Sequence, residues 1–318
     1  MPNSSPAPIL TLTLNPALDM ATEVAQILPG HKLRCSEPQL DPGGGGLNVS
    51  RAIRALGGDS LALVAIGGLT GDRLAGLIRQ AGVTFLSILG PGETRQSLTV
   101  TEESTGKQYR FMLPGPVWGE AERARVFTLL SATARPGGFS VISGSQPPGV
   151  PMDFAAQLAQ SMPDSRVVLD TSGKPLDQAV NAPIPNLDVL RMDTEEAESL
   201  TGHPLHSRAD TADFAQSLAL KGVAKRVIIA RGAEGNVLAT ATHRLFSPAP
   251  QVPVKSTVGA GDSFVAALVL ALARGQSDAE ALALGAAAAA AAVMTDATQL
   301  CRPEDVMRLL PNAGAIEI

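Results

Sequence analysis

Short apolar runs recur along most of the 318-residue chain, and they constrain its fold more than any other feature. Stretches with a helical pattern lie between many of them, as at 48–56, 71–82 and 152–162. Continuous apolar strands alternating with helices predict a parallel sheet covered on both faces. Right-handed crossovers then give an open, doubly wound α/β domain that binds ligands beyond the carboxyl ends of its strands. The predicted strands are 9–14, 60–67, 139–145, 166–170, 187–192 and 226–230.

Two regions break this rhythm, at about 17–41 and 94–114, because both are extended and lack a helical pattern. In the second, SLTVTEE and QYRFML flank STGK, which is typical of a hairpin. Both could be simple surface excursions. We favour a small antiparallel β lid carried by one domain that spans residues 1–318, because each region lies beside a glycine-rich or charged segment.

Charge and cysteine content argue against several kinds of partner. The net charge is −5, and no block of Lys and Arg occurs, so nucleic acid and an anionic membrane are not expected as partners. Cys35 and Cys301 lie far apart, and MPNSSPAPIL shows no secretory signal, which predicts two reduced thiols in a cytoplasmic protein. The most apolar run, 264–273, is too short to cross a bilayer.

The segment STVGAGDSFVAAL predicts a helix that begins next to small residues and a carboxylate, Asp262. The unpaired amides and the positive dipole end of a helix N-terminus together hold an anion, and small residues let a phosphate approach the backbone. Asp262 could then accept the proton of an attacking hydroxyl. The same residue could instead be an ordinary helix cap. This segment by itself favours the cap.

A run of four glycines, in LDPGGGGLNVSRAIRALGG, precedes another predicted helix. Glycine loses more backbone freedom on folding than any other residue, so such a run needs a reason. Together with GAGD it resembles the paired signatures of the PfkB sugar kinases of the ribokinase-like superfamily. The resemblance runs from TLTLNPALD to the C-terminal helices.

This resemblance implies a ribokinase-like kinase with a lid and supplies roles for individual residues. Asp262 would be the catalytic base, and the amides of Gly259, Ala260 and Gly261 would form the anion hole. Backbone at Gly44 and Gly45 would contact the sugar hydroxyls, and the Asn48 side chain would bind the sugar.

The chain resembles the phosphosugar branch of the family, through TLNPALD, and its 6-phosphofructokinases in particular. The implied reaction transfers the γ-phosphoryl group of ATP to the C1 hydroxyl of fructose 6-phosphate. Fructose 1-phosphate and tagatose 6-phosphate are alternative substrates, although 1-phosphofructokinases usually carry Lys where this chain has Gly45. A non-catalytic sugar-phosphate sensor is the alternative of another class, but it would be expected to lack Asp262. The remaining substrate-binding residues implied are Asp19, Lys32, Arg34, Arg95 and Ser143.

Arg95 is the leading candidate for binding the substrate phosphate, because TRQ opens a lid strand and Arg suits bidentate phosphate recognition. Lys32 and Arg34 are expected beside it on a lid strand, although a solvated strand face explains them equally well. The resemblance further implies that lid residues of a neighbouring subunit complete the site. A homodimer joined through the lids is therefore expected.

The nucleotide site is also implied by the resemblance, with Mg²⁺ as cofactor and K⁺ as a possible second ion. Glu196 and Asp193 match the N-x-x-E motif, which organises Mg²⁺ through water, but Asp193 replaces the usual Asn. Arg191 and Met192 replace the usual Lys-Pro. K⁺ would bind carbonyls near 256–258 and the 292–299 loop. The implied nucleotide-binding residues are Asp193, Arg231, Gly232, Gly235, Ser256, Val258 and Gly261.

Overall fold

The computed structural model describes residues 5–296 and 298–318. The strands are β1 (Ile9–Thr13), β2 (Ala17–Val24), β3 (Gln39–Gly43), β4 (Leu61–Ile66), β5 (Thr84–Leu89), β6 (Arg95–Glu102), β7 (Gln108–Met112), β8 (Phe139–Ser143), β9 (Arg166–Asp170), β10 (Leu187–Asp193), β11 (Arg226–Ala230), β12 (Gly235–Ala239), β13 (Arg244–Pro248) and β14 (Ile316–Glu317). The helices are α1 (Gly45–Ala55), α2 (Gly68–Gln80), α3 (Glu120–Thr133), α4 (Phe154–Gln160), α5 (Lys174–Asn181), α6 (Thr194–Thr201), α7 (Arg208–Leu220), α8 (Ala260–Ala273), α9 (Asp278–Ala292) and α10 (Pro303–Leu309).

The larger sheet confirms the predicted doubly wound α/β fold. Among the described residues it has ten strands, in the order β14-β13-β12-β11-β10-β9-β8-β1-β4-β5. The strands from β11 to β5 pair in parallel, and β12, β13 and β14 add an antiparallel edge. All six predicted strands are present. The pattern did not predict β5 or the three antiparallel strands. Most side chains of β5 are exposed or half-buried, β12 (GNVLA) and β13 (RLFSP) hold only two or three consecutive apolar residues, and β14 has two residues.

Two helices rich in small side chains fill one side of this sheet. Nearly all of α8 is buried, as is most of the alanine-rich α9 that packs against it. A Cβ at Gly285 would lie 2.9 Å from the ring of Phe264, so α9 approaches α8 closely at this point. The described part of the chain contains no helix that is long and apolar enough to cross a membrane.

The lid is a separate sheet of four strands in the order β3-β2-β6-β7 within the described chain. The outer pairs are antiparallel, as expected, but β2 and β6 run parallel. The reason is topological: β2 follows β1 and β6 follows β5, so both leave the carboxyl end of the larger sheet and start in the same direction. Lys32 and Arg34 are not on a lid strand, contrary to expectation, because they lie in the exposed connection between β2 and β3.

Candidate active site

Two cavities meet at the N-terminus of α8. One, of about 330 Å³, lies between the lid and the larger sheet and includes Gly259 and Asp262 in its wall. The other, of about 490 Å³, lies beside α8 and α9 and includes Ala260 and Gly261. Thr257 lines both cavities. We call the first the lid cavity and the second the α9 cavity. The turn predicted to hold a phosphate therefore forms the boundary between two spaces large enough for small molecules.

The first turn of α8 is open to a ligand, and Asp262 does not cap it. The residue before the helix, Gly259, has a φ of 75°, and no side chain in the described chain caps this end. The Asp262 carboxylate instead accepts a hydrogen bond from Asn48 Nδ2 at 2.9 Å. The structure thus removes the capping alternative, and leaves the helix amides available to an anion.

Each of the four glycines at 43–46, which lead into the first turn of α1, occupies a position where a side chain would collide with a neighbour. A Cβ at Gly43 would lie 1.9 Å from Asp19 Oδ2, and one at Gly44 would lie 2.6 Å from Thr13 Cγ2. A Cβ at Gly45 would lie 2.4 Å from Ser143 Oγ, and one at Gly46 only 2.5 Å from a backbone oxygen. Gly44 also has a φ of 121°.

These contacts explain the run of glycines in physical terms. The chain passes from lid strand β3 into α1 while it touches the carboxyl-end loops of the larger sheet. Helix α1 begins at Gly45, inside the glycine run and three residues before the start that the apolar pattern predicted. Gly44, Gly45, Asn48 and Ser143 all line the lid cavity, as the sequence predicted for a sugar site.

The carboxyl group of Asp262 is held in a form suited to a general base. Burial is the main cause that raises its pKa to about 7; the nearby Asp170 carboxylate adds to the rise, while Asn48, Arg191 and Arg51 oppose it. A base with a pKa near the working pH combines availability with proton affinity. Asp170 itself pairs with Arg191 at 3.2 Å. This pair lies where β9 and β10 end, next to the start of α8.

Arg191 lies against the first turn of α8, in the wall of the α9 cavity, a position that the sequence motif did not indicate. A Cβ built on Gly261 would be 3.2 Å from its Nη1 atom, so the guanidinium lies against the first turn of α8. Arg191 also lines the α9 cavity. The sequence marked this residue only as a departure from the usual Lys. Its position provides a buried, paired cation beside the anion-binding amides.

Two arginines of the lid line the lid cavity. Arg95 donates from Nε to the backbone oxygen of Asn15 at 3.1 Å, and Arg110 lies on β7. Sequence reasoning predicted Arg95 but missed Arg110, although its alternation with Tyr109 and Phe111 could have placed it on the cavity side. Asp19 also lines this cavity and accepts a hydrogen bond from Ser97. Burial raises the pKa of Asp19, against the influence of Ser97 and Arg95.

The α9 cavity has the apolar walls that a nucleotide base requires. Gly232 lines it after β11, and small side chains of α9 form the opposite wall. Four of the predicted nucleotide-binding residues do not line it: Arg231, Gly235, Ser256 and Val258. Gly235 packs against β13, where a Cβ would lie 2.2 Å from the backbone oxygen of Ser247. Val258 lines the lid cavity instead.

Arg231 is also not oriented towards the α9 cavity. Its guanidinium donates to the backbone oxygens of Leu205, His206 and Ser207 and pairs with Glu234 at 3.1 Å. It therefore fastens the β11 loop to the segment before α7. The expected role of this side chain in nucleotide binding is not supported, because its donors are occupied elsewhere.

Asp193 and Glu196 form a reciprocal cap at the start of α6. The Glu196 amide donates to Asp193 Oδ1 at 2.9 Å, and the Asp193 amide donates to Glu196 Oε2 at 2.8 Å. Burial is the main cause that raises the pKa of Glu196, and the Asp193 and Asp170 carboxylates add to it. Asp193 lines the α9 cavity. Among the described residues, no three His, Cys, Asp or Glu side chains cluster closely enough to hold a metal directly.

The segment predicted to bind K⁺ lies beside these cavities. Ser256 is buried, and its hydroxyl accepts a hydrogen bond from the Val258 amide at 3.2 Å. The amides of Lys255 and Ser256 donate to the backbone oxygen of Val293, at 2.8 and 3.3 Å. Part of the predicted 292–299 contribution, Ala297, lies outside the described residues. The K⁺ site therefore stays a prediction.

Comparison with known proteins agrees with this geometry. The chain is 41% identical over 310 residues to ATP-dependent 6-phosphofructokinase isozyme 2 of Mycobacterium tuberculosis, covering 96% of this chain and 90% of the relative. It is 35% identical over 265 residues to 1-phosphofructokinase of Xanthomonas campestris, covering 82% and 83%.

Phosphofructokinase-2 from Escherichia coli has a similar structure. Its complex with fructose-6-phosphate gives a TM-score of 0.90 at 36% identity, covering 96% of this chain and 99% of the other. Its complex with potassium gives a TM-score of 0.91 at 36% identity, covering 96% and 98%. The model of the pfkB family carbohydrate kinases matches residues 13–305. The chain belongs to the pfkB family of carbohydrate kinases.

Proposed function

We propose that this protein is an ATP-dependent 6-phosphofructokinase, which phosphorylates the C1 hydroxyl of fructose 6-phosphate to give fructose 1,6-bisphosphate. One observation carries the proposal: the lid cavity and the α9 cavity meet at the first turn of α8. Asp262 lies on the side of the lid cavity, and Ala260 and Gly261 lie on the other side. A hydroxyl acceptor and a phosphoryl donor would therefore meet at the same helix terminus.

The residues at this boundary can carry the transfer. Ionised Asp262 accepts the proton of the attacking hydroxyl as the new O–P bond forms, and ADP leaves with the electrons of the broken P–O bond. The amides at the start of α8 take up the charge of the transferring group, and Arg191 adds a cation beside them. The lid excludes water, which would otherwise accept the phosphoryl group.

The lid cavity favours a substrate that already carries a phosphate. Arg95 and Arg110 are two cations in its wall, on a protein whose net charge of −5 does not attract anions. Asp19, Asn48 and Ser143 supply groups for the sugar hydroxyls. The proposed phosphate ligands are therefore Arg95, which the sequence predicted, and Arg110, which the structure adds.

Residues of the α6 cap fit a Mg²⁺ ion that accompanies ATP. Each carboxylate uses one oxygen in the reciprocal cap, and the pKa of Glu196 is raised mainly by burial, with the Asp193 and Asp170 carboxylates adding to the rise. Asp193 and Glu196 would hold the ion through water, as Mg²⁺ keeps several of its waters. When bound, the ion would neutralise phosphate charge. The K⁺ complex of the E. coli relative supports the prediction that this chain binds K⁺, and the placement near residues 256–258 rests on the family resemblance.

The lid also supports the proposal of a homodimer. One apolar row, Leu40, Met20, Leu98 and Phe111, crosses all four lid strands, and Phe111 is 53% exposed. A second copy could cover this row and the open sheet edges. Lys32 and Arg34, exposed between β2 and β3, would then be available to the partner's site. A cytoplasmic location, with no nucleic acid or membrane partner, also remains a prediction.

Fructose 1-phosphate is the main alternative substrate, because 1-phosphofructokinases are also relatives. The site argues against it at one position. A side chain at residue 45, where those enzymes usually carry Lys, would collide with Ser143, since even a Cβ would lie 2.4 Å from its hydroxyl.

A coupled ADP-release assay tests the proposal, with ATP and each of fructose 6-phosphate, fructose 1-phosphate, tagatose 6-phosphate and unphosphorylated fructose. We expect the highest kcat/KM for fructose 6-phosphate. A higher value for another sugar would reassign the substrate, and no turnover of any of the four would favour a sensor.

A further inference from the structure

Arg51 is a buried cation close to the proposed base, and neither the sequence signatures nor the proposed reaction gives it a role. Its side chain is 14% exposed. Nη1 donates to the backbone oxygen of Pro42 at 2.8 Å and to Asn48 Oδ1 at 2.9 Å, and Nη2 lies 3.5 Å from Asp41 Oδ1. Burial lowers the pKa of Arg51, against the influence of Asp41, Asp19 and Asp262. A cation buried at this cost has a structural or chemical reason to be there.

The contact with Asn48 determines which way its carboxamide faces. A carboxamide has an accepting oxygen on one side and a donating nitrogen on the other. Arg51 can only donate, so the Asn48 oxygen must face it. The Asn48 nitrogen then faces Asp262, to which it donates at 2.9 Å. The reverse orientation would place two donors together at Arg51 and two acceptors together at Asp262.

We propose that Arg51 is a positioning residue that fixes the Asn48 carboxamide, so that its nitrogen holds Oδ2 of Asp262 and leaves Oδ1 to accept the proton of the substrate hydroxyl. For its kinetic consequences the inference rests on the proposed kinase activity. The hydrogen bonds themselves do not depend on which sugar is phosphorylated.

The other partners of Arg51 connect this arrangement to the lid. Pro42 and Asp41 belong to lid strand β3, and Asp41 also accepts a hydrogen bond from Thr298, which follows α9. Moving β3 would remove two of the three partners that hold the guanidinium in place. The orientation of the base therefore depends on the position of β3, through the ion pair of Asp41 with Arg51 and the hydrogen bonds from Arg51 to Asn48 and from Asn48 to Asp262.

Steady-state kinetics of Arg51→Met and Arg51→Lys test the positioning role. We expect Arg51→Met to lower kcat by about tenfold or more, because one charge-assisted hydrogen bond is lost. Arg51→Lys should also lower kcat, because an ammonium group cannot reproduce a planar guanidinium whose Nη1 donates to Pro42 and Asn48 while its Nη2 lies beside Asp41. Arg54→Gln is the matched control: Arg54 lies on the same helix with a 59% exposed side chain, and its loss should change neither kcat nor KM.

The pH profile separates the charge of Arg51 from its geometry. The charged groups that face Asp262 are Asp170 from β9, Arg191 from β10 and Arg51 from α1. Removing a cation disfavours the ionised base, so Arg51→Met should move the acid limb of kcat/KM to higher pH. Arg51→Lys keeps the charge, and its acid limb should stay near that of the unmodified protein.

A titration followed by carbon NMR measures the same change in the pKa of Asp262 in the absence of substrate. Aspartate carboxyl carbons are labelled, and the Asp262 signal is assigned by its absence in Asp262→Asn. We expect it to titrate at higher pH in Arg51→Met than in the unmodified protein. If this shift appears but fructose 6-phosphate is not phosphorylated, the proposed function fails while the positioning role stands.

Two results would overturn the inference. One is unchanged kcat and unchanged Asp262 titration in Arg51→Met. The other, which decides the matter if Arg51→Met does not fold, is an unchanged kcat in Arg51→Lys. Asp41→Asn tests whether lid strand β3 influences the base through Arg51. It should lower kcat less than Arg51→Met does, and an unchanged kcat would contradict this influence.

Discussion

The carboxyl end of the larger sheet and the lid contribute to the same cavity but are built in different ways. At the carboxyl end, Asp262, Asp170 and Arg191 are held among buried strands and helices, and burial itself moves the pKa of Asp262 to about 7. In the lid, alternate residues face opposite sides. The row Asp41, Asp19, Ser97 and Met112 includes cavity-lining residues, whereas Leu40, Met20, Leu98 and Phe111 face away.

This difference indicates that the two regions have different roles in catalysis and substrate binding. The carboxyl end sets the chemistry, because a dry and packed site changes the properties of its ionisable groups. The lid supplies substrate contacts from a thin sheet. At one end of its apolar row Met20 and Leu40 line a cavity together with Leu69 of α2, whereas Phe111 at the other end is 53% exposed. Changes at the carboxyl end should therefore act mainly on kcat, and changes in the lid on substrate binding and assembly.

The largest effect is expected from Asp262→Asn, which removes the base but keeps the hydrogen-bonding shape. Turnover of fructose 6-phosphate should fall by at least about 10², with ATP and sugar still bound. Single-turnover kinetics and calorimetric binding measure the two quantities. Near-normal turnover would show that Asp262 is not the base. It would also mean that the carboxyl end of the larger sheet does not set the chemistry through this residue.

Arg95→Ala tests the lid side of the comparison. Loss of a charge-assisted phosphate contact should cost about 1.5–3 kcal/mol, or roughly ten- to a hundredfold in kcat/KM for fructose 6-phosphate. The poor turnover of unphosphorylated fructose should change little, because that substrate has no phosphate for the arginine. An equal loss with both sugars would mean that Arg95 supports the lid instead of binding the phosphate.

The glycine run that connects lid strand β3 to α1 is tested by two glycine-to-alanine changes, one within the run and one on another helix as a control. Gly45→Ala should destabilise the protein by about 1–3 kcal/mol and weaken sugar binding, because its Cβ would overlap Ser143 and Gly144. At Gly76, on α2, a Cβ meets no atom within 4 Å. Gly76→Ala should therefore be neutral or stabilise by up to about 1 kcal/mol. Urea unfolding measures both, and similar results would contradict the steric explanation of the glycine run.

Phe111→Asp tests whether a second copy covers the lid. A charge in the apolar row should raise the dimer dissociation constant by about tenfold or more, since burial of this side chain is lost. Met307→Asp, at a position of α10 that is 65% exposed, is the control and should leave the mass unchanged. Sedimentation equilibrium gives both masses. A monomer with full activity in the unmodified protein would exclude the lid dimer.

The smallest expected effect concerns stability against pH. The pKa of Asp262 is raised from 3.8 to about 7 on folding, so the folded protein holds this proton more tightly than the unfolded chain. Ionisation therefore costs stability as the pH rises through this range. Asp262→Asn avoids the cost and should melt a few degrees higher than the unmodified protein at pH 8, but not at pH 4. Equal melting temperatures at pH 8 would contradict the raised pKa.

Local patterns in the sequence were sufficient for the fold class and for the residues at the turns. The six predicted strands follow from continuous apolar runs, because a strand buried on both faces leaves no other pattern. Two glycine-rich turns marked the boundary of the site, because glycine is retained where backbone and neighbours leave no space. Strand β5 was not predicted, because most of its side chains are exposed and its composition is mixed.

Only the tertiary structure decided what depends on distant residues. Asp262 does not cap α8, because Asn48, 214 positions earlier, holds its carboxylate, and this contact suits Asp262 to the proposed role of base. Arg231 faces away from the α9 cavity because backbone oxygens of 205–207 accept its donors, and Arg110 faces the lid cavity because β7 pairs with β6. A local pattern specifies the periodicity of a helix or strand but not the residues that it contacts. Burial, long-range pairing and side-chain direction therefore depend on how the whole chain packs.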